Sequence, residues 1–305
     1  MLTLLLVAFW LTAGSTPALA REAEPNFSQR QANTAARDVG PPAAQSRARV
    51  LAADELPAAH LWLARPFAPQ YQLAPAVTFP YGSTGGGRYV LHTGIDIGNP
   101  MSTPVLAMAE GVVVYAGDDR LRLFGPKPSF YGNLVVVQLT RTVDRLPVYV
   151  LYGHLDEVRV MTGQRVDAGD MIGAVGMTGI AIGPHLHVEV RVGRMDRWHT
   201  LNPELWLAPL PGAGTVAGRV LTLDGAPVTD ATVYLYRGDA LWRIGATYPA
   251  EETINSDPAW QENFVLSDIP AGNAQLVVRD GARNISLPIR VRAGELTFVE
   301  FRIGG

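Results

Sequence analysis

The chain has 305 residues, enough for two domains, and its 48% hydrophobic content excludes a disordered chain. Its 25 basic and 28 acidic residues nearly balance and form no basic run, which argues against a nucleic-acid partner. It contains no cysteine, which excludes disulfides, thiolate zinc sites and cysteine nucleophiles. Any zinc site must therefore use histidine and carboxylate ligands.

Residues 1–20 have the pattern of a signal peptide. An almost wholly apolar run over residues 2–13 precedes a small-x-small pattern at residues 18–20 and the charged residue Arg21. The apolar run is too short to span a bilayer, which needs about 20 residues. An uncleaved anchor is the alternative, because no Lys or Arg precedes the run. We expect export to the periplasm, the cell envelope or the extracellular space, with no membrane span after cleavage.

Composition divides the rest of the chain into four parts. Residues 21–75 are predicted to be a flexible N-terminal segment, with an interrupted helix over residues 46–63. Residues 76–209 contain short β-rich runs separated by Gly, Pro and Asn, which favours an antiparallel β-sheet domain. Residues 210–214 have the composition of a linker, and residues 215–305 predict a small β-sandwich. The predicted fold class is therefore mostly β.

The first candidate site is a His-x-His pattern, His185 and His187, on a predicted strand. Side chains two positions apart on a strand point to the same face and lie about 7 Å apart. Such a pair suits a metal site in which one imidazole binds the ion and the other reaches its open position. The alternative is a pair of half-buried histidines with ordinary hydrogen-bond partners, because short motifs often match by chance.

Two further segments carry histidines in informative contexts. His92 and Asp96 are four residues apart, and a turn at Gly94 would bring both to about 2 Å from a common metal ion. The alternative interpretation makes Asp96 a turn residue and His92 a surface residue. His154 ends an apolar run, where a lone histidine is usually part of the core.

Together these residues predict a catalytic zinc site. His92, Asp96 and one of His185 and His187 supply three nitrogen and oxygen ligands, which leaves a fourth position for water. The two remaining histidines are then free to steer the water, transfer its proton or stabilise an oxyanion. Spacing alone does not choose between His185 and His187 as the ligand.

Three motifs over residues 77–202 resemble the lysostaphin-like (LytM-type) zinc endopeptidases of bacterial cell walls. The motifs are His92-x-x-x-Asp96, Tyr152-Gly153-His154-Leu155 and Gly183-Pro184-His185-Leu186-His187-x-Glu189, in that order. The resemblance implies an antiparallel β fold with a groove, one bound Zn²⁺ and hydrolysis of peptide bonds in peptidoglycan. It also implies that His92, Asp96 and His187 are the metal ligands, and that His154 and His185 are the catalytic pair.

Some positions depart from this pattern. Met177, Ala181 and Ile182 stand where the family often has Ser or Thr, and residues 121–129 form an insertion in a predicted hairpin that could provide a groove wall. The C-terminal part resembles a carboxypeptidase regulatory-like, transthyretin-type sandwich through turn motifs at residues 218–228. That resemblance implies a structural role or docking to the cell wall.

Two functions follow from the resemblance. The first is a secreted zinc endopeptidase that cleaves peptide cross-links of peptidoglycan. The second is a non-catalytic protein that binds the wall, or activates another hydrolase, through the same groove. Inactive relatives are expected to lose ligands or catalytic histidines, and this sequence has all five residues, which favours the enzyme. The sequence leaves open which cross-link is cut and the oligomeric state.

Overall fold

The computed structural model describes residues 46–304. The predicted signal peptide, residues 1–20, and the first part of the predicted N-terminal segment lie outside these residues. Among the described residues, no helix is long and apolar enough to cross a bilayer. Regular structure in this part of the chain is almost entirely β, with three short 3₁₀ turns at Ala53–Glu55, Arg197–His199 and Pro203–Leu205. The predicted mostly β fold class is confirmed.

The N-terminal segment differs from its prediction. Strand β1, Arg47–Val50, pairs antiparallel with the last strand of the chain, where Arg47 lies opposite Arg302. Leu63 and Phe67 are buried in the main core. The interrupted helix predicted over residues 46–63 is therefore wrong, because pairing with a distant strand outweighs the local helix propensity.

The first domain is built on one sheet of nine strands within the described chain. They are β2 (Ile95–Gly98), β3 (Pro104–Leu106), β4 (Gly111–Asp118), β5 (Asn133–Val143), β6 (Leu146–Val158), β7 (Arg165–Val166), β8 (Met171–Val175), β9 (His185–Val192) and β10 (Thr200–Leu201). The main path is β10-β9-β6-β5-β4-β7, with β2 on β9, β8 on β6 and β3 on β8. Every pair is antiparallel.

The C-terminal domain has two sheets of four strands each over residues 46–304, with β1 in the first. Its other strands are β11 (Ala213–Thr222), β12 (Thr232–Arg237), β13 (Ala240–Ala246), β14 (Phe264–Pro270), β15 (Gly272–Asp280), β16 (Arg283–Val291) and β17 (Leu296–Ile303). The sheet orders are β1-β17-β11-β14 and β13-β12-β15-β16, and β11 and β17 run parallel. Apolar side chains of both sheets form one core. The transthyretin-type resemblance stays a prediction.

The two domains are packed together rather than tethered. Residues 210–214, predicted as a linker, run directly into β11, where Ala213 and Gly214 are already buried. Leu205, Trp206 and Leu207 of the first domain share a core with Ala217, Val265, Trp260 and Phe298 of the second. Tyr81 reinforces the contact, since its hydroxyl lies 2.9 Å from the Thr200 carbonyl oxygen and accepts a 2.9 Å hydrogen bond from the Asn255 amide.

A buried carboxylate holds the two ends of the predicted insertion together. Asp119 is fully buried and accepts hydrogen bonds from the backbone amides of Phe130, Tyr131 and Gly132, at 3.0, 2.9 and 3.0 Å. Phe124, at the middle of the insertion, packs in a small core with Tyr131. Hydrogen bonds therefore hold the loop at its base, and apolar packing holds it at its middle.

We expect Asp119→Ala to destabilise the protein by about 3 kcal/mol, because it leaves three buried amides without their acceptor. Urea denaturation monitored by tryptophan fluorescence measures the loss. Asp239→Ala, at an exposed turn, is the matched control and should change stability by less than about 0.5 kcal/mol. Equal effects of the two substitutions would contradict this account of the loop.

Candidate metal centre

Neighbouring strands bring the predicted site residues together. β2 lies beside β9, with Asp96 opposite His187. β6 lies on the other edge of β9, where Gly153 is opposite His187, so His154 follows on the adjacent strand. His92 precedes β2 and is held by two backbone hydrogen bonds. The sheet register therefore gathers at one place residues that are up to 95 positions apart.

Three donor atoms converge on one point. Asp96 Oδ1 lies 3.1 Å from His92 Nε2 and 2.9 Å from His187 Nδ1, and the two nitrogens are 3.3 Å apart. Ligand atoms bound tetrahedrally at about 2.0–2.1 Å from zinc are about 3.3 Å from one another. The three residues could therefore hold a metal ion, and both the spacing and the donor types fit zinc.

The outer nitrogens of the two imidazoles set their tautomers. His92 Nδ1 lies 3.3 Å from the Pro80 carbonyl oxygen, and His187 Nε2 lies 3.2 Å from Glu189 Oε1. Each acceptor draws an N–H to the outer side of its ring, so the inner nitrogen presents a lone pair. Two lone pairs and a carboxylate oxygen then face one another, an arrangement that requires a cation between them.

The pKa shifts show the same preference for positive charge. Burial would raise the pKa of Asp96, but hydrogen bonds with His187 and His92 outweigh it and hold that pKa well below its usual range. Burial would lower the pKa of His187, but its contacts with Asp96 and Glu189 outweigh it and raise that pKa to about 9. Without a metal ion, a proton occupies the place between these groups.

His154 and His185 are held in the same way beside these three residues. His154 Nδ1 lies 2.8 Å from the Thr178 carbonyl oxygen, and His185 Nδ1 lies 2.7 Å from the Gly183 carbonyl oxygen. Both rings therefore direct Nε2 away from the backbone, and their centres are 4.8 Å apart. His185 Nε2 is 3.6 Å from Asp96 Oδ1. Of the five predicted residues, all five lie at the site.

His154 is held in an unusual environment. Its φ of 61° lies in the left-handed region, which non-glycine residues adopt mainly where the surroundings enforce it. Burial, together with the nearby His187 and His185, lowers its pKa to about 3. The ring is therefore neutral near pH 7, with a lone pair on Nε2.

A buried network that the sequence analysis missed lies behind His187. Glu189 is fully buried, and its Oε1 accepts hydrogen bonds from Thr93 and Tyr131, both at 2.5 Å, as well as from His187. Its Oε2 pairs with Arg191, which is 1% exposed, at 2.7 Å from Nε. Burial would raise the pKa of Glu189, but Arg191 and His187 outweigh it and keep the carboxylate ionised.

The sequence feature that points to this network is the alternation of polar and apolar residues along β9. His185, His187, Glu189 and Arg191 alternate with the apolar residues Leu186, Val188 and Val190, which lie in the main core. Alternation places the four polar side chains on one face. The pattern predicts a shared face, but not that a glutamate and an arginine on it are buried.

The site lies in a cleft of about 430 Å³, named here the proximal cleft and lined by His92, Asp96, His154, His185 and His187 among others. Phe79 stacks on His92 with ring centres 4.4 Å apart, and Ile180 and Ile182 complete an apolar rim. Ile182, one of the predicted departures, is 77% exposed and lines this cleft. The side chain at this position therefore faces any molecule bound in the cleft.

The two remaining histidines lie elsewhere. His60 is buried, stacks on Trp206 with ring centres 4.5 Å apart, and lies 3.2 Å from Asp257 across the domain contact. His199 pairs with Asp196 near the surface at 2.5 Å. His60 therefore belongs to the contact between the domains, and His199 to the local turn that begins at Asp196.

Comparison with known proteins finds similarity over the first domain. The model of peptidase family M23 matches residues 90–203. DD-carboxypeptidase/endopeptidase Mpg of Neisseria meningitidis serogroup B is 39% identical over 121 residues, which are 40% of this chain and 24% of the relative. Peptidoglycan DD-endopeptidase ShyA of Vibrio cholerae is 36% identical over 105 residues, 34% of this chain and 21% of the relative. The chain spans about a quarter of the length of these relatives.

Among solved structures, the catalytic domain of the antimicrobial peptidase lysostaphin from Staphylococcus simulans is 28% identical, with a TM-score of 0.34. The match covers 44% of this chain and 90% of that domain. The family model and the curated relatives together support a peptidase family M23 domain, of the LytM type, in this chain.

Proposed function

We propose that this protein is an exported, zinc-dependent endopeptidase that hydrolyses peptide cross-links of bacterial peptidoglycan. The observation that carries the proposal is the convergence of His92 Nε2, Asp96 Oδ1 and His187 Nδ1 at 2.9–3.3 Å from one another. The names of the M23 relatives, which are peptidoglycan endopeptidases, support the substrate class. Export follows from that substrate and from the signal-peptide pattern of residues 1–20.

His92, Asp96 and His187 would hold the zinc ion. When bound, zinc lowers the pKa of a water molecule to about 7 and polarises a carbonyl group. Glu189 fixes the His187 ring by accepting its Nε2–H, which leaves Nδ1 for the ion. Arg191, at 2.7 Å, compensates the charge that Glu189 carries into the interior.

His154 and His185 would handle the proton. Each Nδ1 is held by a backbone carbonyl, so each Nε2 is an acceptor that faces the cleft. A proton taken from water by one Nε2 converts that ring into a cation. The cation can then donate a hydrogen bond to the oxyanion of the tetrahedral intermediate, or transfer its proton to the leaving amine. Two histidines with ring centres 4.8 Å apart can divide these two functions between them.

The ligand and catalytic roles can be separated by substitution. Asp96→Ala should abolish zinc retention, because it removes the charged ligand, whereas His185→Ala should keep one zinc ion and lower turnover by about 100-fold or more. Atomic absorption measures the zinc, and mass spectrometry of muropeptides measures cleavage. Equal zinc loss in both variants would mean that the ligands are misassigned. One zinc ion in the wild type without turnover would favour the non-catalytic wall-binding role.

Removal of the metal should abolish activity and lower stability together. After dialysis against EDTA, the chain should release no muropeptides, and added Zn²⁺ but not Mg²⁺ should restore release. Zinc at about 1,000 times its Kd should raise the free energy of unfolding by about 4 kcal/mol, because it binds the folded chain alone. An unchanged melting temperature on adding zinc would contradict the metal site.

Glu189→Gln should weaken zinc binding by about 10- to 100-fold, because a neutral amide orients the His187 ring less strongly. Competition with a chromophoric chelator measures the zinc Kd. Glu204→Gln is the matched control, since Glu204 is also buried but accepts from Ser267 at the domain contact. If Arg191, left without its partner, unfolds the single variant, Glu189→Gln combined with Arg191→Met removes both charges. Wild-type zinc affinity in Glu189→Gln and in the double variant would show that Glu189 has no part in holding His187.

A further inference from the structure

A second cleft adjoins the proximal cleft. It has a volume of about 540 Å³ and is named here the distal cleft. Val90, Leu91, Thr93 and Phe130 line both clefts, so the two meet along this shared rim. Thr93 also donates to Glu189 at 2.5 Å, which places the rim next to the metal ligands. A chain that leaves the metal centre over this rim enters the distal cleft.

One wall of the distal cleft comes from the C-terminal domain. Residues 250–253 line it, together with Arg197 and Trp198 of the first domain. This wall is fixed, because the side-chain amide of Asn255 donates to the carbonyl oxygens of Trp198 and Thr200, at 3.1 and 3.0 Å. Thr253 is tied to the same strand by a hydrogen bond from the Thr200 hydroxyl.

The opposite wall is the insertion that the sequence predicts. Pro126 of the insertion and Phe130, which directly follows it, line the cleft from this side. Asp119 holds the base of the loop, and Arg191 donates to the Phe124 carbonyl oxygen at 3.0 Å. Pro126 belongs to the predicted insertion, residues 250–253 lie outside the residues that the M23 model matches, and hydrogen bonds anchor both segments.

The lining combines an exposed aromatic ring with charges. Trp198 is 45% exposed, and the Arg197 guanidinium lies 4.3 Å from the centre of one of its rings. Glu251 and Glu252 are exposed on the far wall and outnumber the single guanidinium. A flat aromatic face suits contact with an extended peptide, and the excess of carboxylates suits an amine.

We propose that the distal cleft binds the arm of the peptidoglycan peptide that extends beyond the scissile bond. Trp198 provides the main contact, and Glu251 and Glu252 face an amine on that arm. The inference rests on the proposed function and adds that the C-terminal domain forms part of the substrate site. It follows from the continuity of the two clefts and from the rigid attachment of both walls.

The first test compares two tryptophans. Trp198→Ala should raise KM for a cross-linked muropeptide dimer about tenfold, as loss of an aromatic anchor does, and leave kcat within about twofold. Trp242→Ala is the matched control, because Trp242 is 49% exposed, also has an arginine over its ring and lines neither cleft. Trp198→Phe should restore part of the affinity. Equal KM values for Trp198→Ala and Trp242→Ala would overturn the proposal.

The second test addresses charge. Acetylation of the free amines of the dimer should raise KM for the wild type several-fold, because it removes the charge that the carboxylates face. It should have no such effect on the double variant Glu251→Gln, Glu252→Gln. Glu295→Gln, another exposed carboxylate outside both clefts, should behave as the wild type. The same acetylation effect in the double variant and the wild type would overturn the role of the two glutamates.

Failure of the proposed function gives a different result. If the wild type cleaves no muropeptide dimer of any cross-link type, the endopeptidase assignment is wrong, and the Kd of the intact dimer from isothermal titration calorimetry then tests the cleft. A Kd about tenfold weaker for Trp198→Ala than for Trp242→Ala supports peptide binding in the distal cleft. Equal Kd values, or no binding by any chain, overturn it.

Discussion

The structure depends on one electrostatic arrangement, in which two imidazole lone pairs and a carboxylate oxygen meet within about 3 Å in a mostly buried place. Such a meeting is unfavourable unless a cation lies between the groups. The antiparallel register of β2 and β9 enforces it, with Asp96 opposite His187. Gly94 permits the close approach, because a Cβ there would lie 2.8 Å from the His187 ring and still closer to the Val188 carbonyl. The fold thus holds these three groups close together.

The buried pair of Glu189 and Arg191 shows how this arrangement is supported. A buried ion pair contributes little net stability, because the desolvation of two charges offsets their attraction. Its other contacts explain its place in the fold. Glu189 accepts from the outer nitrogen of His187, and Arg191 donates to the Phe124 carbonyl of the insertion at 3.0 Å. One charged pair therefore connects His187 to the insertion that lines the distal cleft.

The sequence predicted the mostly β fold class and the five residues that the structure brings together, but not every strand pairing around them. His92, Asp96, His154 and the His-x-His pair were identifiable because few residue types bind zinc and their motifs are short and local. The pairing of β1 with β17, in which Arg47 lies opposite Arg302, has no signal in the local sequence, since a strand can pair with any exposed edge. The same holds for the parallel pairing of β11 and β17. Composition at residues 210–214 indicated a linker, yet turn residues occur equally in a tight connection between packed domains.

The shared core fixes the position of the C-terminal domain relative to the first domain. Phe298 of β17 and Val265 of β14 pack in the same cluster as Leu205, Trp206 and Leu207, which follow the M23 motifs directly. Because interiors are close-packed, two elements in one cluster keep a fixed relative position. The loop at residues 250–253 therefore has a fixed distance from the rim at Thr93, and through Glu189 from His187. A domain attached by a flexible linker could bring a molecule near the site. Only a domain packed in this way can form a permanent part of the surface around the site.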